Sequence, residues 1–336
     1  MPCDVIVGGF FGDEGKGKII AYLSLHDKVD IAVRGGVGPN AGHTFVINNN
    51  IYKVRMVPSA LLNKDTTLMI GAGVVIDPKV LFDEIERFSL KDRIFVDKNC
   101  GIITDAHKER DRAKDLKERI GTTASGSGPA NADRALRILS LAKDVKELSN
   151  YLKDVSDEVN TLLDRNGKLL IEGTQGTFLS LYHGTYPYVT SKDVTASAIC
   201  SDIGIGPKRV DNIMIVFKSY VTRVGEGELR GELSREEAEK RGWLEIATVT
   251  QRVRRAAPFD FDLAKRAIRL NSATEIALTK LDILFPESKK VREYSRLSDR
   301  AKKFIEEIED RLNVNVTLIG TGEDVFDIID RRNEKL

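Results

Sequence analysis

The chain has 336 residues, with 52 Lys and Arg against 51 Asp and Glu, and 41% hydrophobic and 31% charged content. These values describe a globular protein with ample chain for a large core, neither disordered nor fibrous. A formal net charge of +1 gives no electrostatic reason to expect a nucleic acid or a membrane as partner.

Cys3, Cys100 and Cys200 are odd in number and far apart, which supports neither a disulfide frame nor a zinc site. No apolar run reaches the ~20 residues of a membrane helix. The start, MPCDVIVGG, enters a strand-like run without a basic leader or cleavage site, so a cytoplasmic protein is expected.

Short β-branched runs alternate with helical patterns. DVIVGGFF reads as a strand, followed by a glycine-rich turn and the helical KGKIIAYLSL; DIAVRGG is a second strand. HTFVINNNIYKVRMV predicts a hairpin turning at Asn48, Asn49 and Asn50. TTLMIGAG and RIFVD are strands, with the helical PKVLFDEIERF between them. Two further helical patterns follow, DAHKERDRAKDLKERI and LAKDVKELSNYLKDVSDEVNTLLDR. The first is polar nearly all round over 106–120 and reads as a solvated face without a function. KLLIEG, NIMIVFKSYV, EIALTKLDIL and VNVTLIG complete the strands, and FDFDLAKRAIRLNSA, DRAKKFIEEIEDRLN and EDVFDIIDRR the helices.

Several of these strands are apolar without alternation, as strands covered on both faces are. The expectation is an α/β fold, a mainly parallel central sheet with flanking helices around a phosphate-loop-like nucleotide-binding core. It forms one domain over 1–336, with helical insertions at about 78–165 and no clean boundary.

The chemistry collects after strands. GDEGKGKI at 12–19 fits the phosphate-loop pattern at Gly12, Gly17 and Lys18, but Ile19 stands where a magnesium-binding hydroxyl belongs. Glycines and a helix N-terminus favour an anion, whereas Asp13 is repelled by phosphate unless it serves a metal or a proton transfer. GGVGPNAGHTF places Asn40 and His43 in a second loop, where the histidine is either structural or catalytic.

GTTASGSGPANADR is a third loop, dense in hydroxyls, that could hold a phosphate or serve as a solvated linker. IEGTQGT ends a strand, where α/β ligands collect, and HGTYPYVTS follows it. TVTQRVRR gathers Arg252, Arg254 and Arg255, either a surface patch or a clamp for carboxylate or phosphate. TKLD at 279–282 is similar to a guanine-reading element, in which one carboxylate, Asp282, accepts from both guanine donors.

GDEGKGK, NAGHT, the GTT loop, EGTQGT, GTYPYVTS and TKLD, in this order over residues 8–322, resemble adenylosuccinate synthetase. The resemblance implies a GTP-dependent ligation of IMP and L-aspartate through a 6-phosphoryl-IMP intermediate, the first committed step from IMP to AMP. It also implies Mg2+ and GTP, and a homodimer in which Arg137 reaches the neighbouring subunit's IMP phosphate.

Position by position, Asp13 resembles the base for IMP N1 and a magnesium ligand, with Gly42 joining the metal shell. His43 resembles the acid that stabilises departing GDP, and Lys16 balances phosphate charge. The implied GTP contacts are Gly12, Asp13, Glu14, Gly15, Lys16, Gly42, His43, Thr44, Arg255, Lys280, Leu281, Asp282, Gly320, Thr321 and Gly322. IMP would meet Asp13, Lys16, Asn40, Ala41, Gly42, His43, Thr123, Arg137, Gln175 and Thr190. Aspartate would meet Val249, Thr250 and Arg254.

The chain departs from the family pattern at Ala124, Ser125 and Ser127, at Val253, in GEGELRGEL and in its shorter length. A GTP-hydrolysing switch would also use the glycine loop and TKLD, and a degenerate binding module would keep both. Neither accounts for Asp13 and His43 together.

Overall fold

The structure is a computed structural model and describes residues 3–113, 119–246 and 252–335. Its spine is a ten-stranded sheet. In chain order the strands are β1 (Cys3–Gly8), β2 (Ile31–Arg34), the hairpin β3 (His43–Ile47) and β4 (Asn50–Val54), and β5 (Thr67–Ile70). There follow β6 (Val75–Ile76), β7 (Ile94–Asp97), β8 (Gly101–Ile102), β9 (Leu152–Lys153), β10 (Leu169–Glu172) and β11 (Asn212–Lys218). The last five are β12 (Tyr220–Arg223), β13 (Arg255–Pro258), β14 (Glu275–Thr279), β15 (Val316–Gly320) and β16 (Ile328–Asp330).

The order across the large sheet is β16-β15-β14-β11-β1-β10-β2-β5-β7-β9. Every neighbouring pair is parallel except β15 and β16. The expected mainly parallel α/β sheet is therefore present.

The apolar strand runs follow from two cores on opposite faces. Val5 and Val7 of β1 join Val33, Ile171, Ile215 and Ile276 on one face, while Ile6 joins Ala32, Leu170, Met214 and Ala277 on the other. Because successive strand residues alternate faces, a strand buried on both has no polar positions to offer. Helix Lys16–His26 covers the second face with Ile19, Ile20 and Leu23. Helices Ala196–Ile203, Phe261–Asn271 and Asp299–Leu312 cover the first.

Ile19, the residue that breaks the phosphate-loop pattern, is fully buried in this packing. The hairpin turn predicted at 48–50 is present, with Asn48 and Asn49 at φ 50° and 64°, as a tight right-twisting turn requires.

Two predicted helices differ. Over 141–164 only Val155–Asp164 is α-helical, started by Asp154 accepting from the Asp157 N–H at 3.1 Å. The preceding stretch forms 3-10 turns and then β9, because Leu152 and Lys153 extend the sheet edge beside β7. EDVFDIIDRR turns at 323–327 and becomes β16, whose antiparallel pairing covers the edge of β15. In both places sheet-edge pairing outweighs local helical periodicity.

Parallel strands align their carboxyl ends. Gly8, Arg34, Glu172, Lys218, Thr279 and Gly320 are the last residues of β1, β2, β10, β11, β14 and β15. The loops that leave these ends therefore meet on one side of the sheet.

Candidate active site

The first of those loops is held from within. Glu14 is buried, and its carboxylate accepts from the Phe10 N–H at 3.0 Å, the Gly12 N–H at 2.8 Å and Lys16 Nζ at 3.0 Å. Lys16 also donates to the Gln175 carbonyl. A β-carbon on Gly8 would lie 2.3 Å from that carbonyl and 2.5 Å from Glu14 Oε2, so only glycine permits this approach. Asp13, at φ 61°, turns the opposite way and lines a cavity of about 1360 Å³. The two loop acids thus face apart: Glu14 braces the turn and its side chain stays out of the cavity wall, while Asp13 enters it.

His43 lines the same cavity at the start of β3. Its Nδ1 meets the carboxylate of Glu172, which also accepts from the Ser59 N–H and hydroxyl, each at 2.7 Å, and from Arg34 at 3.4 Å. Glu172 at the end of β10 and Arg34 at the end of β2 are both fully buried. A carboxylate acceptor fixes the proton on Nδ1 and leaves Nε2 facing the cavity, buried and without a protein partner. Burial, together with the Arg34 charge, holds the His43 imidazole below its ordinary pKa, against the pull of Glu172.

Asn40 Nδ2 and Gln175 Nε2 both donate to the Thr190 hydroxyl, at 3.2 and 2.9 Å, and Asn40 Oδ1 is buried without a partner. These three residues, from three separate loops, form one polar corner. In the wall of the same cavity, Thr123, Ser125 and Ser127 form a hydroxyl chain at 3.0 and 3.1 Å.

That loop is pinned by Asp111, which accepts from the Thr122 hydroxyl at 2.6 Å and the Gly126 N–H at 2.7 Å. The polar helix Asp105–Arg112 is thus more than a solvated face, since Arg110 and Asp111 line the cavity and Asp111 shapes its wall.

Further along lie the arginines. Arg254 Nη2 pairs with Asp13 at 2.9 Å and Nη1 with Glu245. Arg252 donates to the Gly121 carbonyl at 3.0 Å and lines the cavity. Arg255 points elsewhere, to Glu232 and to the carbonyls of Gly225 and Gly227 at 2.9 and 2.8 Å, and is not in the wall. Val249 and Thr250 lie outside the described residues.

At the end formed by the TKLD segment, Thr279, Lys280 and Gly322 line the cavity, and Lys280 takes φ 61°. Asp282 Oδ1 is buried and unpartnered; burial raises that carboxyl's pKa while Lys280 and Lys18 pull it down. Lys18 Nζ donates to the carbonyls of Gly322 at 2.7 Å and Asp327 at 2.8 Å, so the phosphate-loop helix is tied to this pocket. Thr321 is buried, its hydroxyl donating to the Val291 carbonyl at 2.7 Å, and it supports the pocket from behind.

Gly12, Gly15, Ala41, Gly42 and Thr44 line the cavity, whereas Leu281, Gly320 and Arg137 do not. Arg137 is exposed at the left-handed end of helix Ser127–Leu136.

Sequence reasoning missed Glu172, Arg34, Ser59 and Glu245. Glu172 stands inside the quoted IEGTQGT; the others carry no local signal. Arg252, named within TVTQRVRR as part of a possible clamp, does line the cavity.

An unpartnered imidazole nitrogen and a carboxylate meet in one cavity at the carboxyl ends of a parallel α/β sheet, an arrangement suited to an enzyme active site; Asp282 is outside the cavity wall. The family model for adenylosuccinate synthetase matches residues 5–145 and 137–287. The chain is 55% identical to the adenylosuccinate synthetase of Methanocaldococcus jannaschii, covering 99% of this chain and 98% of that one. It is 53% identical to that of Pyrococcus horikoshii, covering 99% of each.

Among solved structures, the fully ligated adenylosuccinate synthetase of Plasmodium falciparum superposes with a TM-score of 0.92 at 29% identity, over 99% of this chain and 100% of that one. The succinoaminodeoxyadenylate synthetase of cyanophage S-2L, bound to dGMP and dATP, gives 0.82 at 26%, over 98% and 95%. The chain belongs to the adenylosuccinate synthetase family. It is a GTP-dependent ligase that joins IMP and L-aspartate on the way to AMP. Its length is that of the two archaeal relatives.

The site makes a titration prediction for the ligand-free protein. Nitrogen-15 NMR should show His43 as the neutral Nδ1–H tautomer at pH 7, with a midpoint below the ordinary 6.5. A midpoint above 6.5 would mean that Glu172 outweighs burial and Arg34.

Proposed function

We propose that the ligation runs through 6-phosphoryl-IMP, with Asp13 as base and His43 as acid. The observation that supports this most is the convergence of Asp13 and the His43 Nε2 with the Asn40–Gln175–Thr190 corner in one cavity. The 6-oxygen of IMP leaves poorly until it is phosphorylated. Asp13 takes the N1 proton, the electron pair is delocalised onto O6, and O6 attacks the γ-phosphorus of GTP as the bond to the bridging oxygen breaks.

The leaving GDP takes that electron pair, and a proton at His43 Nε2 stabilises the oxygen that bears it. The triphosphate's negative charge raises the imidazole's proton affinity above its ligand-free value. The neutral amine of aspartate then attacks C6, the C6–O bond breaks, and phosphate departs with the bonding pair and takes up the proton that the new C6–N group loses.

Asn40, Ala41, Thr123, Gln175 and Thr190 are proposed to hold IMP, and Lys16 to balance phosphate charge while it braces the loop. Asp282, with Lys280, Leu281 and the 320–322 segment, is proposed to read guanine. Arg254 is proposed to receive aspartate.

The donor set fits one Mg2+ per subunit. Arg254 engages one oxygen of the partly exposed Asp13 carboxylate, and the Gly42 backbone lines the same cavity. Hard oxygens, few in number and beside phosphate, are what this ion takes. Asp13 and Gly42 would hold it, and it would supply charge neutralisation at the transferring phosphate.

A homodimer with Arg137 reaching the partner's IMP phosphate is the proposed assembly. Leu136 and Ile138, 67% and 69% exposed, flank Arg137 as an interface would require. The proposed location is the cytoplasm; no helix among the described residues is long and apolar enough to cross a membrane.

Combining the protein with IMP, aspartate, GTP and magnesium should give the absorbance change of adenylosuccinate. Asp13→Ala and His43→Ala should each lower kcat by ~100- to 10,000-fold while nucleotide binding persists. A variant retaining most of its kcat would remove that residue from its role. Mixing Arg137→Leu with Asp13→Ala subunits should restore activity, because one heterodimer site then carries neither change. Proven heterodimers without activity would contradict the shared site.

A further inference from the structure

Arg254 is held by a buried polar cluster that the reaction as described does not use. Glu245 accepts from Arg254 Nη1, from the Tyr220 hydroxyl and, at 2.9 Å, from Lys218 Nζ. Lys218, the last residue of β11, is itself almost fully buried and donates also to the Thr222 hydroxyl at 2.6 Å. Burial alone would raise the Glu245 carboxyl's pKa, but Lys218, Lys280 and Arg254 outweigh it and hold it far below the usual range. Glu245 is therefore an anion held from several sides.

The cluster rests on a small separate core of Tyr220, Ala238, Trp243 and Ala256. Tyr220 and Trp243 stack with centroids 4.7 Å apart. The Arg254 N–H donates to the Glu245 carbonyl at 2.9 Å, and Ile246 bridges Val253, so the two segments lie antiparallel. Arg254 is thus fixed through its backbone and through one edge of its guanidinium.

The rest of that guanidinium is differently placed. Nη2 holds Asp13, and Nε is buried without a protein partner although the side chain lines the cavity. A buried guanidinium N–H left unpaired is costly, and the Nε–Nη2 edge is the fork that receives a carboxylate through two parallel bonds. Asp13 lies 2.9 Å from Nη2 as an ion pair, and the unpartnered Nε marks a place for a second acceptor.

We propose that Glu245 is a positioning residue for the amino-acid substrate: anchored by Lys218 and Tyr220, it holds Arg254 so that its Nε–Nη2 edge faces the cavity to receive a carboxylate. This deepens the reading of Arg254 as the aspartate-binding residue and rests on it. Substrate carboxylate then replaces Asp13 on Arg254, so that amino-acid binding frees the Asp13 side chain. No bond is made or broken; one ion pair is exchanged for another.

The test is the pattern of KM values in Glu245→Gln, which keeps the shape and removes the charge. The aspartate KM should rise by about tenfold or more, with the IMP and GTP values within about twofold, as loss of a charged hydrogen bond implies. Trp243 is the sole tryptophan, so intrinsic fluorescence reports this arm directly. Aspartate added to wild type with IMP, magnesium and a non-hydrolysable GTP analogue should change its emission, and Glu245→Gln should lose that response.

Arg254→Met is the control for the underlying reading, with an aspartate KM raised about a hundredfold. An unchanged aspartate KM in Arg254→Met would overturn that reading and this inference with it. A rise in Arg254→Met with none in Glu245→Gln would overturn the inference alone, as would an equal rise in all three KM values. If Glu245→Gln fails to fold, Tyr220→Phe decides, since it keeps the stacked ring and removes one hydrogen bond to Glu245. It should raise the aspartate KM selectively, and an unchanged value would count against Glu245.

Discussion

The buried pair of Glu14 and Lys16 is the constraint on which the site depends. Two charges are taken from water at the end of the central strand, which is favourable only because each also meets backbone. Glu14 receives two loop N–H groups and Lys16 gives a bond to the Gln175 carbonyl. Removing either partner would leave an unpaired buried charge, a change that typically costs about 3–5 kcal/mol. The pair fixes the turn between β1 and its helix and joins it to the loop after β10. Once the turn is fixed, Asp13 must face the cavity.

The same economy recurs at the other strand ends. Arg34, Glu172 and Ser59 hold the His43 ring, and Lys18 ties the phosphate-loop helix to carbonyls at 322 and 327. The hairpin that carries His43 is fastened to that same segment, with the Val325 N–H donating to the Val46 carbonyl at 2.7 Å and the Asn48 N–H to Asp324 at 2.8 Å. The 322–327 segment, the phosphate-loop helix and the hairpin that carries the imidazole are therefore joined by hydrogen bonds.

Much of this was legible in the sequence, for identifiable reasons. Strands buried on both faces declare themselves by unbroken apolar runs, and glycine-rich turns after them announce ligand loops. Asp13 was legible as an oddity, an acid in an anion-binding turn. Glu14 was not, because sequence cannot tell which of two adjacent acids turns inward; that depends on Asp13 taking a left-handed φ of 61°.

Asp111 was hidden for a similar reason, since one buried acid within a highly charged helix does not alter its polar pattern. Glu172 pairs with His43 129 residues away and Glu245 with Lys218 27 residues away, and such pairings belong to the fold rather than to any window of sequence. EDVFDIIDRR misled because strand pairing at an open edge outweighed its helical period.

In the proposed mechanism the 6-oxygen of IMP becomes a nucleophile toward the γ-phosphate once Asp13 removes the N1 proton. Isotope transfer tests this directly: IMP carrying oxygen-18 at position 6 is turned over with aspartate, GTP and magnesium, and the released phosphate is analysed by mass spectrometry. The account predicts one oxygen-18 atom in each phosphate formed. Unlabelled phosphate, with the oxygen-18 appearing in water, would contradict it.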